Sequence, residues 1–393
     1  MKRLILFASA ILCLASAEAQ KKAPVVHLTC PESSVRRTEI ILPQVKGFNC
    51  YKADFHIHTS YSDGSVTPTG RVDEAWYGGL DIIAITDHYE GTTGLKKTFK
   101  IAAPQNEGQP ITYHPAAKLG TAPADFNAIH EEAVKHNARK GYNLLLIKGC
   151  EMARNKEKLG HYNALFVKDL NSLYAFDLKE AFLNIKKQGG IIIHNHPGNV
   201  EKYETDWHAD VYGSGLIDGI EVANGIRFYP YMLRRCVDKK LAIFGNTDTH
   251  GLINHKYSTI GTFRTMTIVL AKECTEKAIK DAILKRRTIA YSGGDLIGEE
   301  AWLVEFLNAA VDCRMVNDNE KKGLRRYALT NMSSITYRLR RGRIVYELEP
   351  FQTTFVDVKK DKETGKYRLP KMRAENMWIV DYKHPTITLK LDK

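Results

Sequence analysis

Short apolar runs alternate with amphipathic stretches along the chain from about residue 50 onward. The apolar runs have the length of strands, and the stretches between them place apolar residues at helical spacing. The expected strands are Ala53–His58, Asp81–Thr86, Asn143–Glu151, Tyr162–Val167, Gly190–His194, Ile217–Ala223, Leu241–Asn246 and Met266–Leu270. The expected helices are Pro68–Tyr77, Ala124–Arg139, Lys179–Lys187, Tyr229–Lys239 and Thr275–Arg287. Alternation of this kind predicts a parallel α/β architecture, and the number of strands favours a barrel.

The periodicity changes after Gly298, where runs such as R-Y-A-L-T and R-I-V-Y-E-L alternate polar and apolar residues. This pattern predicts a small antiparallel β domain over residues 298–393, which we expect to be a sandwich. Within the α/β part, the segment Gly91–Pro123 contains several Gly and Pro residues and is expected to form a long loop after the second strand. Long loops at that face of a barrel usually carry function.

The first 19 residues resemble a targeting segment rather than part of the fold. A basic start, Met1-Lys2-Arg3, is followed by the apolar stretch Leu4–Ala15 and the small-residue run A-S-A-E-A. This order is typical of a secretory signal peptide, and the apolar stretch is shorter than the roughly 20 residues that span a bilayer. We therefore expect an exported, soluble protein of the bacterial periplasm or exterior, with a lead-in segment at 20–50 and a barrel at 51–297.

Composition and charge narrow the classes of partner. The chain is 44% hydrophobic and 26% charged, as expected for a globular protein, and its formal net charge is +12. A basic surface attracts anions, although the basic stretch Lys321–Arg343 is read as a solvated face of the β domain. No specific nucleic-acid binding and no transmembrane segment are predicted, and the oligomeric state stays open.

The seven cysteines are scattered, with no C-x-x-C pair, so a zinc site built on thiolates is not expected. Cys30 and Cys50 could form a disulfide in an oxidising compartment, or could both be thiols. Cys150 is interpreted as a small buried residue at the end of a strand rather than a nucleophile.

Histidines and acids recur where the expected strands end. In D-F-H-I-H-T, His56 and His58 are two residues apart, so their side chains should point in the same direction from a strand. Later strands end in or near Asp87, His88, Glu151, His194, His196, Asp248 and His250, while Asp63 lies in the tight turn S-D-G and His161 in G-H-Y-N. Parallel strands of a barrel bring such ends to one face. Imidazoles and carboxylates without thiolates suit Zn²⁺, Mn²⁺ or Fe²⁺, and they outnumber the ligands of one ion, so two or three divalent ions are expected.

The motifs H-I-H-T-S-Y-S-D-G, L-D-I-I-A-I-T-D-H, G-C-E, H-P-G and T-D-T-H, in this order, resemble those of the PHP (polymerase and histidinol phosphatase) domain. The resemblance covers residues from about 52 to 295. It implies a distorted (β/α)7 TIM-like barrel that holds up to three divalent metals and hydrolyses phosphate esters. Within the family the chain is most similar to exported bacterial proteins that carry a β-rich tail and are labelled phosphodiesterases.

The resemblance also implies a role for each residue of the metal site. His56, His58 and Asp248 would hold the first metal, and Glu151 would bridge the first and second. Asp63 and His88 would complete the second metal, and His161, His196 and His250 would hold the third. A hydroxide bound between the first two metals would attack phosphorus in line, with no side-chain base expected.

Three further residues are candidates for contact with the substrate. Arg154, three residues after Glu151, could clamp an anion, or it could be a surface arginine of the following loop. Arg227 is a weaker candidate of the same kind. His194 would face the same way as His196 if the strand continues that far, because the two are separated by one residue.

Two other functions stay open at this point. One is an amidohydrolase-like enzyme that cleaves C–N or C–O bonds, because barrels of that family also begin with H-x-H. The other is a non-catalytic surface module in which metals only stabilise the fold. The sequence leaves undecided whether the substrate is a monoester or a diester, and which metal is bound.

Overall fold

The computed structural model describes residues 36–89, 126–153, 159–173, 175, 177–198 and 205–390, apart from the side chains of residues 254–256. Residues Arg37–Lys393 form one compact unit. The helices are α1 (Pro68–Tyr77), α2 (Asn127–Lys140), α3 (Leu178–Lys187), α4 (Asp206–Gly213), α5 (Pro230–Lys239), α6 (Ile253–Ser258), α7 (Glu276–Leu284) and α8 (Glu300–Ala310). Within the described ranges no helix combines the length and apolar character needed to cross a bilayer.

A curled, mixed sheet forms the core of the fold. Its strands are β1 (Asn49–Ile57), β2 (Ile82–Ile85), β3 (Leu145–Ala153), β4 (His161–Leu165), β5 (Ile191–Asn195), β6 (Gly219–Asn224), β7 (Arg227–Phe228), β8 (Ala242–Asn246), β9 (Met266–Ala271), β10 (Thr288–Ser292) and β11 (Asp295–Ile297). β1 to β6 follow one another in the sheet, and β8 pairs with β6. The curl brings the end of β8 back to β1, where the N–H of Asp248 donates to the carbonyl of His56 over 2.9 Å and the N–H of His58 donates to Thr249 over 3.1 Å.

The alternation of strands and helices predicted a parallel sheet, but the observed sheet is mixed. β4 runs antiparallel to both of its neighbours, β3 and β5, whereas β1–β2, β2–β3, β5–β6 and β6–β8 are parallel. The reason is the connection: β3 ends at Ala153 and β4 begins at His161, so too few residues separate them for a crossover helix. The result is the distorted barrel that the resemblance implied.

Apolar side chains fill the interior of the curled sheet. Phe55, Ile147, Ile193 and Phe244, one from each of four strands, belong to one buried cluster there. Helices cover the outer face with apolar stripes at helical spacing; α3, for example, buries Leu178, Ala181, Phe182 and Ile185. Local signals fix the helix starts: the side chain of Thr67 accepts from the N–H of Gly70 at the start of α1, where Pro68 is the first residue.

Further strands follow in the C-terminal region, and all of them except β18 join one of two antiparallel sheets, as expected there. They are β12 (Val311–Asn319), β13 (Leu324–Asn331), β14 (Tyr337–Arg341), β15 (Ile344–Leu348), β16 (Thr353–Lys359), β17 (Met372–Ala374), β18 (Met377–Trp378) and β19 (Thr386–Ile387). One sheet has the order β12-β13-β16 and the other β15-β14-β17-β19.

Two details of this region differ from the expectation. The region expected to be a β domain begins with a helix, α8, in which Leu303, Phe306, Leu307 and Ala310 are buried at helical spacing. The strand β18 does not join either small sheet but pairs in parallel with β11 of the main sheet. The boundary at residues 297/298 between two domains stays a prediction.

Several expectations fall on parts of the chain that lie outside the described residues: the signal peptide at 1–19, the Gly91–Pro123 loop, Cys30 and Arg154. Cys50 is half-buried, and its pairing with Cys30 stays open. Cys150 is buried at β3, as predicted. Arginines of the basic stretch form exposed ion pairs, such as Arg326 with Asp357.

Candidate metal centre

An irregularity in β1 directs the first two histidines into the barrel. Asp54 pairs with Ile83 and Ile57 pairs with Ile85, so β1 carries one extra residue at this point. A bulge of this kind re-aims the side chains that follow it. Phe55 remains in the apolar interior, while His56 and His58 bring their Nε2 atoms within 3.1 Å of each other. The two imidazoles therefore point to one place, as their spacing predicted.

Glu151, at the end of β3, is the centre of the cluster. Its buried carboxylate lies 3.2 Å from Nε2 of His56 and 3.5 Å from Nε2 of His58. It also lies 2.9 Å from Nδ1 of His88, 3.2 Å from Nδ1 of His161 and 3.4 Å from Nε2 of His196. One carboxylate thus approaches five imidazoles that come from four separate strand ends.

Two aspartates border this centre on the side that is open to solvent. Asp248 Oδ1 lies 3.1 Å from Nε2 of His58 and 3.3 Å from Nε2 of His56. Asp63 Oδ1 lies 3.1 Å from Nε2 of His250, and its Oδ2 lies 3.4 Å from Nε2 of His88. All nine residues implied as metal ligands therefore lie in one cluster.

Within the cluster, four groups place potential ligand atoms within 4.8 Å of one another. They are His58-Asp63-His88-His250, His56-His196-Asp248, His56-His58-Glu151 and His88-Glu151-His161. His250 is thus grouped with Asp63 rather than with His161 and His196, the set implied for the third metal. The assignment of individual residues to individual ions stays a prediction.

The carboxylates of the centre are held ionised by their neighbours. Burial alone would raise the pKa of Glu151, but His56 and His88 hold it well below its usual range. Burial likewise opposes ionisation of Asp63, whose pKa is lowered by hydrogen bonds with His250 and His88. In return, although burial lowers the pKa of His88, Glu151 and Asp63 raise it to about 10. The site concentrates negative charge that positive charge must balance.

The donor atoms fit divalent cations. Oε2 of Glu151 and Nδ1 of His88 are buried and form an ion pair of 2.9 Å, yet among the described residues neither atom makes a hydrogen bond. Buried polar atoms nearly always make hydrogen bonds in proteins, so two that make none are available as metal ligands. A cation between imidazole and carboxylate ligands would satisfy both.

Sequence reasoning missed Glu221, a fully buried residue of β6. Its carboxylate lies 2.8 Å from Nδ1 of His56 and accepts the N–H of His196 over 2.8 Å. Glu221 begins the segment E-V-A-N-G-I, which directly precedes Arg227. An acid inside an expected buried strand was the signal that could have identified it.

Asparagine side chains form a layer between the apolar interior and the cluster, and they were also missed. Asn195 donates to Oε1 of Glu151 over 2.7 Å and to Asn163 over 2.8 Å. Asn246 donates to Oε1 of Glu221 over 2.9 Å. These amides hold the carboxylates in place without adding charge, because each supplies neutral N–H donors.

Arg71 of α1 holds together two segments that carry candidate ligands. Its buried guanidinium donates to the carbonyls of His58 (2.8 Å), Gly251 (2.8 Å) and Thr249 (3.2 Å). It also pairs with Glu74 over 2.6 Å. The end of β1 and the loop after β8 are thereby fixed to one another.

The condition under which His194 would face the same way as His196, a strand that continues to His196, is not met. β5 ends at Asn195, and His196 adopts a left-handed backbone with φ 27°, so alternation no longer relates the two. The ring of His194 stacks on Tyr162, and its Nδ1 lies 2.6 Å from the hydroxyl of Tyr212. Its neighbour Asn195 points to Glu151 instead.

For the other two candidates for substrate contact, Arg227 and Arg154, the structure gives less information. Arg227 is exposed on β7 and pairs with Asn224 across a tight hairpin, so it lies next to the strand that carries Glu221. Arg154 lies outside the described residues. The role of both in binding a substrate stays a prediction.

Comparison with solved structures connects this geometry to known proteins. The chain is similar to a two-domain protein from Bacteroides vulgatus ATCC 8482 that contains a predicted PHP-like metal-dependent phosphoesterase, with 31% identity and a TM-score of 0.75. The similarity covers 91% of this chain and 99% of that one. No protein-family model and no curated protein matches the chain.

Two further structures are more distant. A putative metal-dependent phosphoesterase from Bifidobacterium adolescentis ATCC 15703 is 17% identical, with a TM-score of 0.38. The match covers 60% of the present chain and 96% of the phosphoesterase. An amidohydrolase from Chromobacterium violaceum is 15% identical, with a TM-score of 0.35. The match covers 51% of the present chain and 87% of the amidohydrolase. At these TM-scores neither bears on the function.

Proposed function

Because the chain belongs to the PHP-like metal-dependent phosphoesterases, we propose that it hydrolyses phosphate esters at a site of two or three divalent ions. The observation that carries the proposal is the position of Glu151, whose buried carboxylate lies within 3.5 Å of five imidazoles. When bound there, divalent ions lower the pKa of water and withdraw charge from phosphoryl oxygens. We further propose Zn²⁺, Mn²⁺ or Fe²⁺ as the ion.

The side chains divide into a buried floor and an open rim. His56, His58 and Glu151 are at most 1% exposed, so they can hold ions but cannot touch a substrate freely. His250 is 40% exposed and Asp63 31%, and with His196 they form the rim that a substrate meets first. The anionic ester would thus approach from the rim, and Arg227, exposed on the hairpin that follows Glu221, would supply positive charge to it.

The substrate class follows from charge and site. The net charge of +12 attracts anions, and an anionic phosphate ester needs neutralisation before a nucleophile can approach it. Both phosphomonoesters and phosphodiesters remain within the proposal. The basic start and apolar stretch of residues 1–19 support export, so the enzyme would act on esters in the periplasm or outside the cell.

The test compares turnover of a mono-aryl and a bis-aryl phosphate by the metal-free protein supplied with Zn²⁺, Mn²⁺ or Fe²⁺. The double substitution His58→Ala with Asp63→Ala should reduce turnover to background, because it removes ligands from two of the four ligand groups. His384→Ala is the matched control: its ring packs on Trp378 in the C-terminal region, and it should keep full activity.

The outcomes separate this proposal from the two other functions. Hydrolysis of cyclic amides or lactones without phosphate esters would indicate an amidohydrolase-like enzyme. Cation binding without turnover of any ester would indicate a binding module. Undiminished activity in the double variant would refute the proposed site.

A further inference from the structure

Glu221 occupies a position behind the candidate metal ligands rather than among them. Its Oε1 lies 2.8 Å from Nδ1 of His56 and accepts from the side chain of Asn246 over 2.9 Å. Its Oε2 accepts the backbone N–H of His196 over 2.8 Å and the side chain of Asn224 over 3.0 Å. Four nitrogens therefore surround one fully buried carboxylate.

The chemistry of these partners requires a carboxylate. An ionised carboxylate only accepts hydrogen bonds, and the amides of Asn246, Asn224 and His196 can only donate to it. Facing such an acceptor, Nδ1 of His56 carries its hydrogen toward Glu221. The other ring nitrogen, Nε2, then points to Glu151 and Asp248, at 3.2 and 3.3 Å. A carboxylate behind a histidine fixes ring orientation and raises the basicity of the nitrogen that faces a metal.

The bond to His196 has a second consequence. His196 has a φ of 27°, in the left-handed region that a non-glycine residue rarely adopts. Such a backbone persists only where its surroundings hold it in place. The N–H bond to Glu221 supplies that constraint, and it directs Nε2 of His196 to within 3.4 Å of Glu151. One carboxylate therefore contacts two candidate ligands, His56 in β1 and His196 directly after β5.

The strand β6 is shaped to bring Glu221 there. Glu221 pairs with Phe244 and Ala223 pairs with Gly245, so β6 carries one extra residue directly after Glu221. β1 has the same kind of irregularity next to His56. The two bulges thus adjoin the two residues, His56 and Glu221, whose side chains are in contact.

We propose that Glu221 is a positioning residue that presents His56 and His196 to a divalent cation, and that its loss weakens cation binding. The inference rests on the cation site of the proposed function. The competing view is that Glu221 only stabilises the fold, as any buried and well-paired carboxylate does.

The test is cation binding by the full chain in the absence of any substrate. Glu221→Gln keeps the size of the side chain but places an amide N–H₂ against two donors, whichever way it turns. We expect the affinity for Zn²⁺ or Mn²⁺ at one or more sites to fall about 10–100-fold, measured by competition with a chelator and by metal content after dialysis. The absorption spectrum of the Co²⁺-loaded protein should change as well, because the geometry of the ligands changes.

Asp218→Asn is the matched control. Asp218 precedes the same strand, and its carboxylate accepts the N–H of Ile192 over 2.7 Å and pairs with Lys186, but these partners lie outside the candidate centre. This variant should lose stability and keep the affinity and the Co²⁺ spectrum of the original chain. Thermal unfolding of the metal-free proteins measures the stability of each.

Four results decide the matter. Unchanged affinity and spectrum in Glu221→Gln would overturn the proposal, and so would equal weakening in Asp218→Asn. If Glu221→Gln does not fold, Glu221→Asp replaces it: this variant keeps the charge but withdraws the oxygens, and unchanged affinity in it would likewise contradict positioning. An original chain that binds no cation at all would refute the proposed function itself, and is thereby distinguished from a failure of Glu221 alone.

Discussion

Replacement of Arg71 by Met tests whether this side chain holds the end of β1 and the loop after β8 together. Arg71 is 1% exposed, and its guanidinium donates to the carbonyls of His58, Thr249 and Gly251 and pairs with Glu74. Met fills much of the same volume, so the substitution removes polar contacts with little cavity. Three carbonyls and one carboxylate lose a partner.

The expected loss of stability follows from these contacts. Removal of one partner from a buried ion pair costs about 3–5 kcal/mol, and each hydrogen bond to a charged group contributes about 1.5–3 kcal/mol. These values overlap rather than add, because one guanidinium makes both the ion pair and the hydrogen bonds. Glu74 also keeps a bond from the N–H of Ile253 at 3.1 Å, which reduces the loss. We expect a loss of about 3–5 kcal/mol. With an unfolding entropy of about 2.1 cal/mol/K per residue, a compact unit of this size should lose roughly 4–7 °C in Tm.

The assay is thermal unfolding of metal-free protein, followed by circular dichroism, with Arg326→Met as the control. Arg326 makes an equally regular pair with Asp357, at 2.7 and 2.9 Å, but it is exposed, so its loss should cost less than about 1 kcal/mol. Cation affinity should also fall in Arg71→Met, because the carbonyl partners belong to or adjoin candidate ligands. A Tm within about 1 °C of the original chain, with unchanged cation affinity, would show that Arg71 does not hold these segments.

Two further predictions concern the cation and pH. Loading the metal-free protein with Zn²⁺ at 100 times its dissociation constant should raise stability by about 2.7 kcal/mol, seen as a higher Tm that a chelator reverses; a Tm independent of metal would contradict the site. Burial, with a smaller contribution from Lys148, lowers the pKa of His130 to about 4. Because the folded pKa is below the unfolded value near 6.5, the unfolded chain binds the proton more tightly, and stability should fall as pH drops from about 6.5 to 4. The stability difference between the original chain and His130→Gln, both metal-free, should decrease over this window, and a constant difference would exclude this residue as the cause.

The regular elements of the barrel could be predicted because each has a local cause. α1 was predicted with its observed bounds, Pro68–Tyr77, since Thr67 and Pro68 mark a helix start and Gly78-Gly79 ends it. The antiparallel placement of β4 had only an indirect signal: the expected strands Asn143–Glu151 and Tyr162–Val167 are too close in the chain for a crossover helix to connect them in parallel. Helix α8 was missed because the alternation further along the chain dominated the interpretation of residues 300–310.

The candidate ligands could be predicted from their positions at strand ends, whereas the residues that orient them could not. His56, Glu151 and Asp248 end strands whose apolar character is evident, and a barrel brings such ends together. Glu221 lies inside β6 and Asn195 is the last residue of β5; a polar residue in such a place signals a buried partner, but the pattern does not say which one. Their role depends on contacts between residues far apart in the chain, such as Glu221 with His56.

The position of His194 shows why backbone irregularities decide this site. Side-chain alternation assumes a regular strand, yet the bulges in β1 and β6 and the positive φ values of His196 and Asp248, 27° and 50°, all lie at the cluster. Each irregularity lies beside a polar side chain of the cluster, whose direction regular alternation would not have predicted. Strained backbone of this kind costs on the order of 1–3 kcal/mol per residue and persists where surrounding contacts determine it. At His196 that contact is Glu221, and at Asp248 it is the N–H bond to the carbonyl of His56 over 2.9 Å. The hydrogen bonds that hold the strained backbone therefore also set the positions of the ligand atoms. For this reason, a bound cation and the surrounding fold should stabilise each other.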